Sequence, residues 1–553
     1  MHPEPPADGT LSTERQRVSL LPIAWALGCL AAFGAAFSTV SWPFADVYST
    51  LTDATALNWP QAIASAFVPD VEYRPLFRLA IKLSYQLFGL QLTGYRALVL
   101  TQFGVILALL IWLCRPMGWR RGIAACVALS CVAGLHASRI LFGFWPVNFG
   151  SFVLILLLVS IALALDPRTR STNWVFFPLT LVALFSLEWG VMIVAVLPVL
   201  WIMNAPGVSR RGLLWVFSGL ALYLAIRFHF GTSGTSPSFH TESGFGFSEL
   251  SPADLRARFE HAWVFWLYNI SSNFLTVVAS EPRSGVFAFV ASLLNGNVPY
   301  WRWLHVGSSL LTTIVMAAAL IVHRVSSERD RLVLVAGLAL LVFGSLLGVP
   351  YARDRFALIA GVGYGLLVYV SFVTLLERLL TRGWMRPAVV GCLAVIAVAW
   401  SIRSAETYFQ IRDTAWDFYH EWEERAAALD ATPQPELLTR LRAAALRVAP
   451  ADPRQDPTWT HVLFERKFPI GASRPLSPPF DIRWSPEVTD EARRRLEGEL
   501  GLTEARQVLR DPRLRTWSYR LRRPTRGRVR AILKSAVVED TAQIDTARLE
   551  IVE

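Results

Sequence analysis

Apolar runs of about twenty residues, the length that crosses a hydrocarbon layer, recur from Val18 to Ile402. They cover 18–40, 96–114, 122–141, 146–165, 174–187, 189–203, 213–230, 303–323, 332–349, 357–376 and 387–402. No other feature constrains the fold as strongly. In lipid a single segment must pair all its own backbone N–H and C=O groups, and a helix does so. The expected fold class is an all-α polytopic membrane protein of about eleven transmembrane helices. Composition agrees: 17% of the 553 residues are charged, against about 25% in soluble domains.

Arginines punctuate the runs: Arg15 and Arg17; Arg115, Arg120 and Arg121; Arg168 and Arg170; Arg210 and Arg211; Arg324, Arg329 and Arg331; Arg378, Arg382 and Arg386. Placing every cluster in the cytoplasm puts the N-terminus inside and the C-terminus outside. Because Arg170 and Arg210 then share a side, "WVFFPLTLVALFSLEWGVMIVAVLPVLWIM" is expected to be two short crossings with Glu188 at the outer turn. One long helix would bury a costly acid. The first run is too long for a signal-peptide core and lacks a cleavage site, so it reads as a retained span. The net charge of +11 lies in short loops and forms no basic domain, which argues against nucleic acid as a partner. All five cysteines fall in apolar runs, with no spacing for a metal or a disulfide framework.

The resulting domains are a cytoplasmic tail 1–17, a membrane domain 18–403 and an extracytoplasmic domain 404–553, expected to be small and mixed α/β. Outer loop 41–95 carries "LFRLAIKLSYQLFGL", read as a helix lying in the interface with Leu76, Leu79, Ala80 and Leu83 on one face. Outer loop 231–302 carries "SPADLRARFEHAWVFWLYNI", read as a second surface-lying helix. The tail begins with a helical pattern through Trp416, Tyr419 and Glu423, and no internal repeat stands out.

With this topology the ionisable groups are asymmetric. The inner ends carry scattered arginine, while the outer ends mix acids, His, Arg and Tyr. These are Asp46 and Tyr48; Asp70, Glu72, Tyr73 and Arg74; His136 and Arg139; Glu188; Arg227 and His229; and Tyr351, Arg353, Asp354 and Arg355. Singly each has a plain reading as a solvated, packed or snorkelling side chain. Gathered on one side, they combine carboxylates able to take a proton with guanidinium groups able to hold a phosphate.

The stretch "EYRPLFRLAIKLSYQLFGLQLTGYRALVLTQFGVILALLIWL" resembles the GT-C membrane glycosyltransferases. It is most similar to bacterial and tetratricopeptide-tailed O-mannosyltransferase-like members. Further pieces follow in the family's order. "FADVY" resembles its acidic motif after the first span, and "LHASRILFGFWPVNFGSFVLILLLVSIAL" its His-Pro stretch, with Ala137 in place of Pro. "FSLEWGVMIVAVLPVLW" resembles its Lys-Glu span, with Leu187 where Lys is usual, and "PYARDRFALIAGVGYGLLV" its Arg-plus-aromatic span start. The likeness covers residues 40 to 380, and 404–553 carries no tetratricopeptide signature.

The resemblance implies transfer of a sugar from a polyprenyl-phosphate donor to a glycan, lipid or protein hydroxyl by inverting displacement, outside a bacterial inner membrane. By motif position Asp46 is the expected base, with Asp53 a competitor; Asp70 orients the acceptor or substitutes as base. Arg353 and Arg355, with Arg74 behind them, are the phosphate ligands, and Tyr73, His136, Arg139, Glu188 and Tyr351 shape the pocket. No cofactor is expected, and without an Asp-x-Asp pair in the first outer loop no obligatory divalent metal is either. Two other classes compete: a flippase for lipid-linked sugars, against which the lack of repeats counts, and a non-catalytic assembly protein, which Ala137 and Leu187 favour.

Overall fold

The computed structural model describes residues 19–39, 58–67, 73–88, 92–135, 149–231, 262–280, 288–294, 300–325, 327–349, 357–379 and 387–405, with five strands between 480 and 552 and a few isolated positions. The helices in chain order are α1 (Leu21–Thr39), α2 (Trp59–Ala66), α3 (Pro75–Phe88), α4 (Leu92–Cys114) and α5 (Gly118–Gly134). Then come α6 (Phe149–Ala164), α7 (Phe176–Ser186), α8 (Val191–Ile202), α9 (Arg210–Gly231) and α10 (Ala262–Val278). The last are α11 (Ala288–Leu294), α12 (Tyr300–Val322), α13 (Glu328–Leu346), α14 (Ala357–Leu379) and α15 (Pro387–Ala405). A helix therefore lies on each apolar run of the sequence. Five of them are long and apolar enough to cross a membrane, namely those over 93–114, 210–228, 302–322, 357–378 and 387–405. Shorter apolar helices cover 21–35, 150–164 and 188–202. The chain is mostly helical among the described residues of its apolar part, with the character of a membrane protein.

Helix α14 is the hub. It packs against α13, α5, α12 and α10, and 94% of its membrane-length window is buried, so it is apolar all round rather than striped. Small residues permit the closest approach, as in other lipid-embedded helix pairs. A Cβ on Gly363 of α14 would stand 2.5 Å from the Gly337 carbonyl oxygen of α13, and one on Gly337 would stand 2.9 Å from that of Gly363.

At one end of the bundle a single guanidinium joins three helices. Arg121 of α5 donates from Nη1 and Nη2 to the two carboxylate oxygens of Asp330 on α13 at 3.2 and 2.8 Å, and from Nε to Glu377 of α14 at 3.2 Å. Asp330 also belongs to the start of α13, where the Ser327 hydroxyl accepts its backbone N–H at 3.3 Å. That places an acid at the positive end of the helix.

Three expectations need correction. Helix α5 ends at Gly134, with Leu135 extended, so the helix expected over 122–141 stops before His136. The space beside Gly134 is taken by Trp400 and Ser404, 2.9 and 3.2 Å from where its Cβ would lie. In α3 the face against the bundle is Phe77, Ile81, Tyr85 and Phe88, whereas Leu83 of the predicted face is exposed. The anchor Lys82 shifts the register: it is buried, with its ammonium 5.7 Å from the Trp59 ring of α2. Trp59 in turn donates from Nε1 to Gln86 at 2.7 Å. Helix α10, read as surface-lying, packs among α12, α13 and α14. Its stripe Asn269, Ser272, Asn273, Thr276 is buried, and Asn269 donates to the Val349 carbonyl at 3.0 Å. The tryptophans that suggested a surface helix, Trp263 and Trp266, occupy its exposed face.

In the region 404–553 the strands are β1 (Phe480–Arg483), β2 (Leu502–Gln507), β3 (Thr516–Leu521), β4 (Arg528–Val538) and β5 (Thr541–Val552). An antiparallel sheet has the order β1-β3-β2, and β4 pairs with β5 as a hairpin whose register shifts at Lys534/Ser535. The helical pattern through Trp416, Tyr419 and Glu423 lies outside the described residues.

Candidate functional site

The chain breaks between α7 and α8 as the buried-acid argument requires. Leu187 is extended, Glu188–Gly190 form one tight turn, and α8 begins at Val191. A Cβ at Gly190 would sit 2.4 Å from the Ala183 carbonyl carbon, so the fold-back of this turn onto α7 needs glycine. The turn presents Glu188 to the start of α3, where Arg74 stands just ahead of Pro75. The Arg74 Nε–H donates to both carboxylate oxygens, at 2.9 and 3.1 Å. Arg74 thus meets Glu188, and Arg78, one turn further along, donates to the Ser65 carbonyl at 3.3 Å, tying α3 to α2.

Beside this ion pair is an aromatic box. Tyr73 is buried against Leu184 and Tyr223, with its ring 6.2 Å from Phe185 and 6.4 Å from Tyr223. Phe185 and Tyr223 meet edge-on at 5.5 Å. Arg227, one turn beyond Tyr223 on α9, donates to the Tyr223 hydroxyl at 2.8 Å. The Tyr73 hydroxyl is buried and has no hydrogen-bond partner among the described residues. Its pKa is raised, first by burial and then by the neighbouring Tyr223, so it stays a neutral O–H donor. A buried donor without an acceptor costs about 1–3 kcal/mol, which a ligand oxygen would recover.

The Arg74 and Glu188 side chains remain 24% and 36% exposed. A pair this open contributes about 0–1 kcal/mol to stability, so an incoming phosphate can replace Glu188 at little expense. The site therefore offers an exchangeable guanidinium, a second guanidinium at Arg227, a carboxylate and a hydroxyl donor on an aromatic wall.

A second polar centre sits where α15 ends against α12. Arg403 is fully buried. It donates from Nη1 to Ser308 and Ser309 at 2.9 and 2.8 Å, and from Nη2 to Ser280 at 2.6 Å. Its guanidinium lies 3.9 Å from the Trp400 ring centroid, and Trp400 Nε1 donates to Thr312 at 2.9 Å. Ser280, just past α10, adopts a left-handed φ of 48°, a conformation costing about 1–3 kcal/mol outside glycine. This network holds the end of α10 to α12 and α15.

Of the predicted site residues, the structure brings together Tyr73, Arg74 and Glu188. Asp46, Asp53, Asp70, His136, Arg139, Tyr351, Arg353 and Arg355 lie outside the described residues, as does any distance between them. Among the described residues no three His, Cys, Asp or Glu side chains gather. Sequence reasoning missed Phe185, Tyr223 and Arg403. The four-residue spacing of Tyr223 and Arg227 was a usable signal, as was an Arg inside the apolar window of the last helix. No family model matches the chain, and neither a curated protein nor a solved structure does.

Proposed function

We propose that the chain is an inverting glycosyltransferase of GT-C type, moving a sugar from a polyprenyl-phosphate donor to an acceptor hydroxyl. One observation carries the reading beyond the family likeness: Arg74 just ahead of α3, Glu188 from the α7–α8 turn and the Tyr73 hydroxyl, without a hydrogen-bond partner among the described residues, meet on the aromatic box with Arg227. Guanidinium groups with a neutral O–H donor suit a phosphate and its sugar, and aromatic faces suit a pyranose.

In the proposed reaction Asp46, with Asp53 or Asp70 as the alternative, takes the proton of the acceptor hydroxyl. The oxygen attacks the anomeric carbon from the face opposite the phosphate. The anomeric C–O bond breaks, its electron pair leaves with the polyprenyl phosphate, and the configuration inverts. Negative charge grows on the leaving phosphate, so arginines placed before the reaction stabilise the transition state more than the ground state. Arg353, Arg355 and Arg74 have that role. Glu188 balances the charge of Arg74 until the donor enters, then faces the sugar hydroxyls. Supporting the cellular setting are the arginine pattern and the inner-end cluster at Arg121: about eleven spans in a bacterial inner membrane, N-terminus cytoplasmic, with a periplasmic mixed α/β tail.

The test is turnover. Purified full-length protein, given a polyprenyl-phosphate sugar and a hydroxyl acceptor, is expected to release polyprenyl phosphate, and Asp46→Asn to abolish release with unfolding unchanged. Release that persists when Asp46, Asp53 and Asp70 are all changed to Asn refutes the catalytic assignment. Donor flipping by that triple variant supports the transport class instead.

A further inference from the structure

At the end of α4 two arginines converge on one indole. Trp112, on the last turn of α4, is partly exposed; the Arg115 guanidinium lies 5.6 Å from its ring centroid and that of Arg329, on α13, 5.4 Å. Arg115 is held there by a left-handed backbone, φ 42°, which a non-glycine residue adopts only against strain. Arg329 reaches the Trp112 and Leu113 carbonyl oxygens with Nη2 at 3.5 Å each, too long for strong bonds. Its Nε is buried with no hydrogen-bond partner among the described residues. Asp330, next to Arg329 in the chain, has both carboxylate oxygens taken by Arg121, which also reaches Glu377.

Topogenic arginine explains how many basic residues lie between spans, but not why two of them press on one ring. Like charges this close repel, and the Arg329 pKa is lowered, by burial first and by Arg115 next. An anion between them relieves that repulsion and supplies an acceptor to the Arg329 Nε. Alongside stand exposed Met117 and Trp119, the latter with Arg120 5.5 Å from its ring. Apolar and indole surface next to guanidinium groups, at the end of a membrane-length helix, fits a molecule with both a phosphate and acyl chains.

We propose that Arg115 and Arg329, gathered around Trp112, bind the phosphodiester of an anionic phospholipid, with Met117 and Trp119 against its acyl chains. The site is independent of the glycosyl-transfer reading, since it uses none of those residues.

Native mass spectrometry of the full-length protein in detergent, with dioleoyl phosphatidylglycerol or dioleoyl phosphatidylcholine added at equal concentration, tests it. Each basic side chain near an anionic lipid contributes about fivefold. Wild type is therefore expected to prefer phosphatidylglycerol by about 30-fold, as is the remote-charge control Arg211→Gln. Arg115→Gln is expected to lose about fivefold and Arg115→Gln/Arg329→Gln all of the preference. Arg115 is exposed, so its single variant keeps the test decisive if the double variant does not fold. Equal retention of the two lipids by wild type overturns the proposal, and so does an undiminished preference in Arg115→Gln. Displacement of phosphatidylglycerol by millimolar inorganic phosphate with no loss of affinity for the free ion on removing lipid marks a free-phosphate site, which also overturns it.

Discussion

Replacing Arg121 by Leu should damage the fold more than removing either acid it holds. Asp330 is 7% exposed, Arg121 23% and Glu377 39%. Burial tends to lower the Arg121 pKa, but the hydrogen bond and charge of Asp330 outweigh it and hold the group above its ordinary value. Losing one partner of a buried pair costs about 3–5 kcal/mol, because the other charge stays buried without compensation. Arg121→Leu leaves Asp330 in that position and should approach the full amount. Asp330→Leu leaves an arginine that is partly wet and still 3.2 Å from Glu377, so about 2 kcal/mol is expected from the same comparison. Glu377→Gln removes only the open half of the network, about 0–1 kcal/mol. Arg121→Leu/Asp330→Leu should cost less than Arg121→Leu alone, since an apolar replacement of both charges ends the desolvation penalty. The assay is reversible unfolding of the full-length protein in mixed detergent micelles, read as a double-mutant cycle. If Arg121→Leu costs no more than Glu377→Gln, or if the double variant costs the sum of the singles, the buried-pair account is wrong.

Tyr73→Phe should leave stability unchanged or raise it by up to about 1–3 kcal/mol, because it deletes a buried hydroxyl that has no acceptor among the described residues, while raising KM for a polyprenyl-phosphate sugar; a clear loss of stability would mean that the hydroxyl is bonded. The same residue predicts a pH effect. Its folded pKa is raised, so above the ordinary phenol value of about 10 the unfolded chain sheds this proton first and stability falls with further rise; unfolding titrations of Tyr73→Phe should show a shallower fall. Arg74→Ala and Glu188→Gln should each shift stability by at most about 1 kcal/mol, while Arg74→Ala lowers turnover by about 10²-fold, a split that a purely structural pair would not give. Gly363→Leu should cost at least about 1–3 kcal/mol by overpacking, because a Cβ there meets the Gly337 carbonyl oxygen, the Leu341 nitrogen and the Leu340 Cβ, none of them the far end of a flexible side chain; an unchanged unfolding midpoint would contradict the close approach.

Helix positions were the most legible part of this chain, for a physical reason. A segment in lipid must satisfy its own backbone, so length and apolarity alone locate it, and the break at Glu188 followed from the expense of burying one acid. What the sequence hid was decided by contacts between distant segments. The stripe of Asn269, Ser272, Asn273 and Thr276 on α10 looks polar and surface-seeking until the end of α13 is there, with carbonyl groups that accept from Asn269 and Asn273. Lys82 of α3 reads as a solvent-facing cation until Trp59, from a separate helix, covers it. The same holds for the candidate site. Arg74 and Glu188 were singled out as chemistry-bearing types at chain positions far apart, but their pairing depends on where the tight turn at Gly190 aims the carboxylate. Phe185 carries no sequence mark separating it from lipid-facing aromatics, and Tyr223 only its four-residue spacing to Arg227, because the tertiary fold decides which rings face Tyr73. Type and spacing thus report what a residue is able to do, whereas convergence reports whether it is placed to do it. Only the second distinguishes an arginine that orients a span from one, like Arg74, that pairs with a carboxylate from a distant segment.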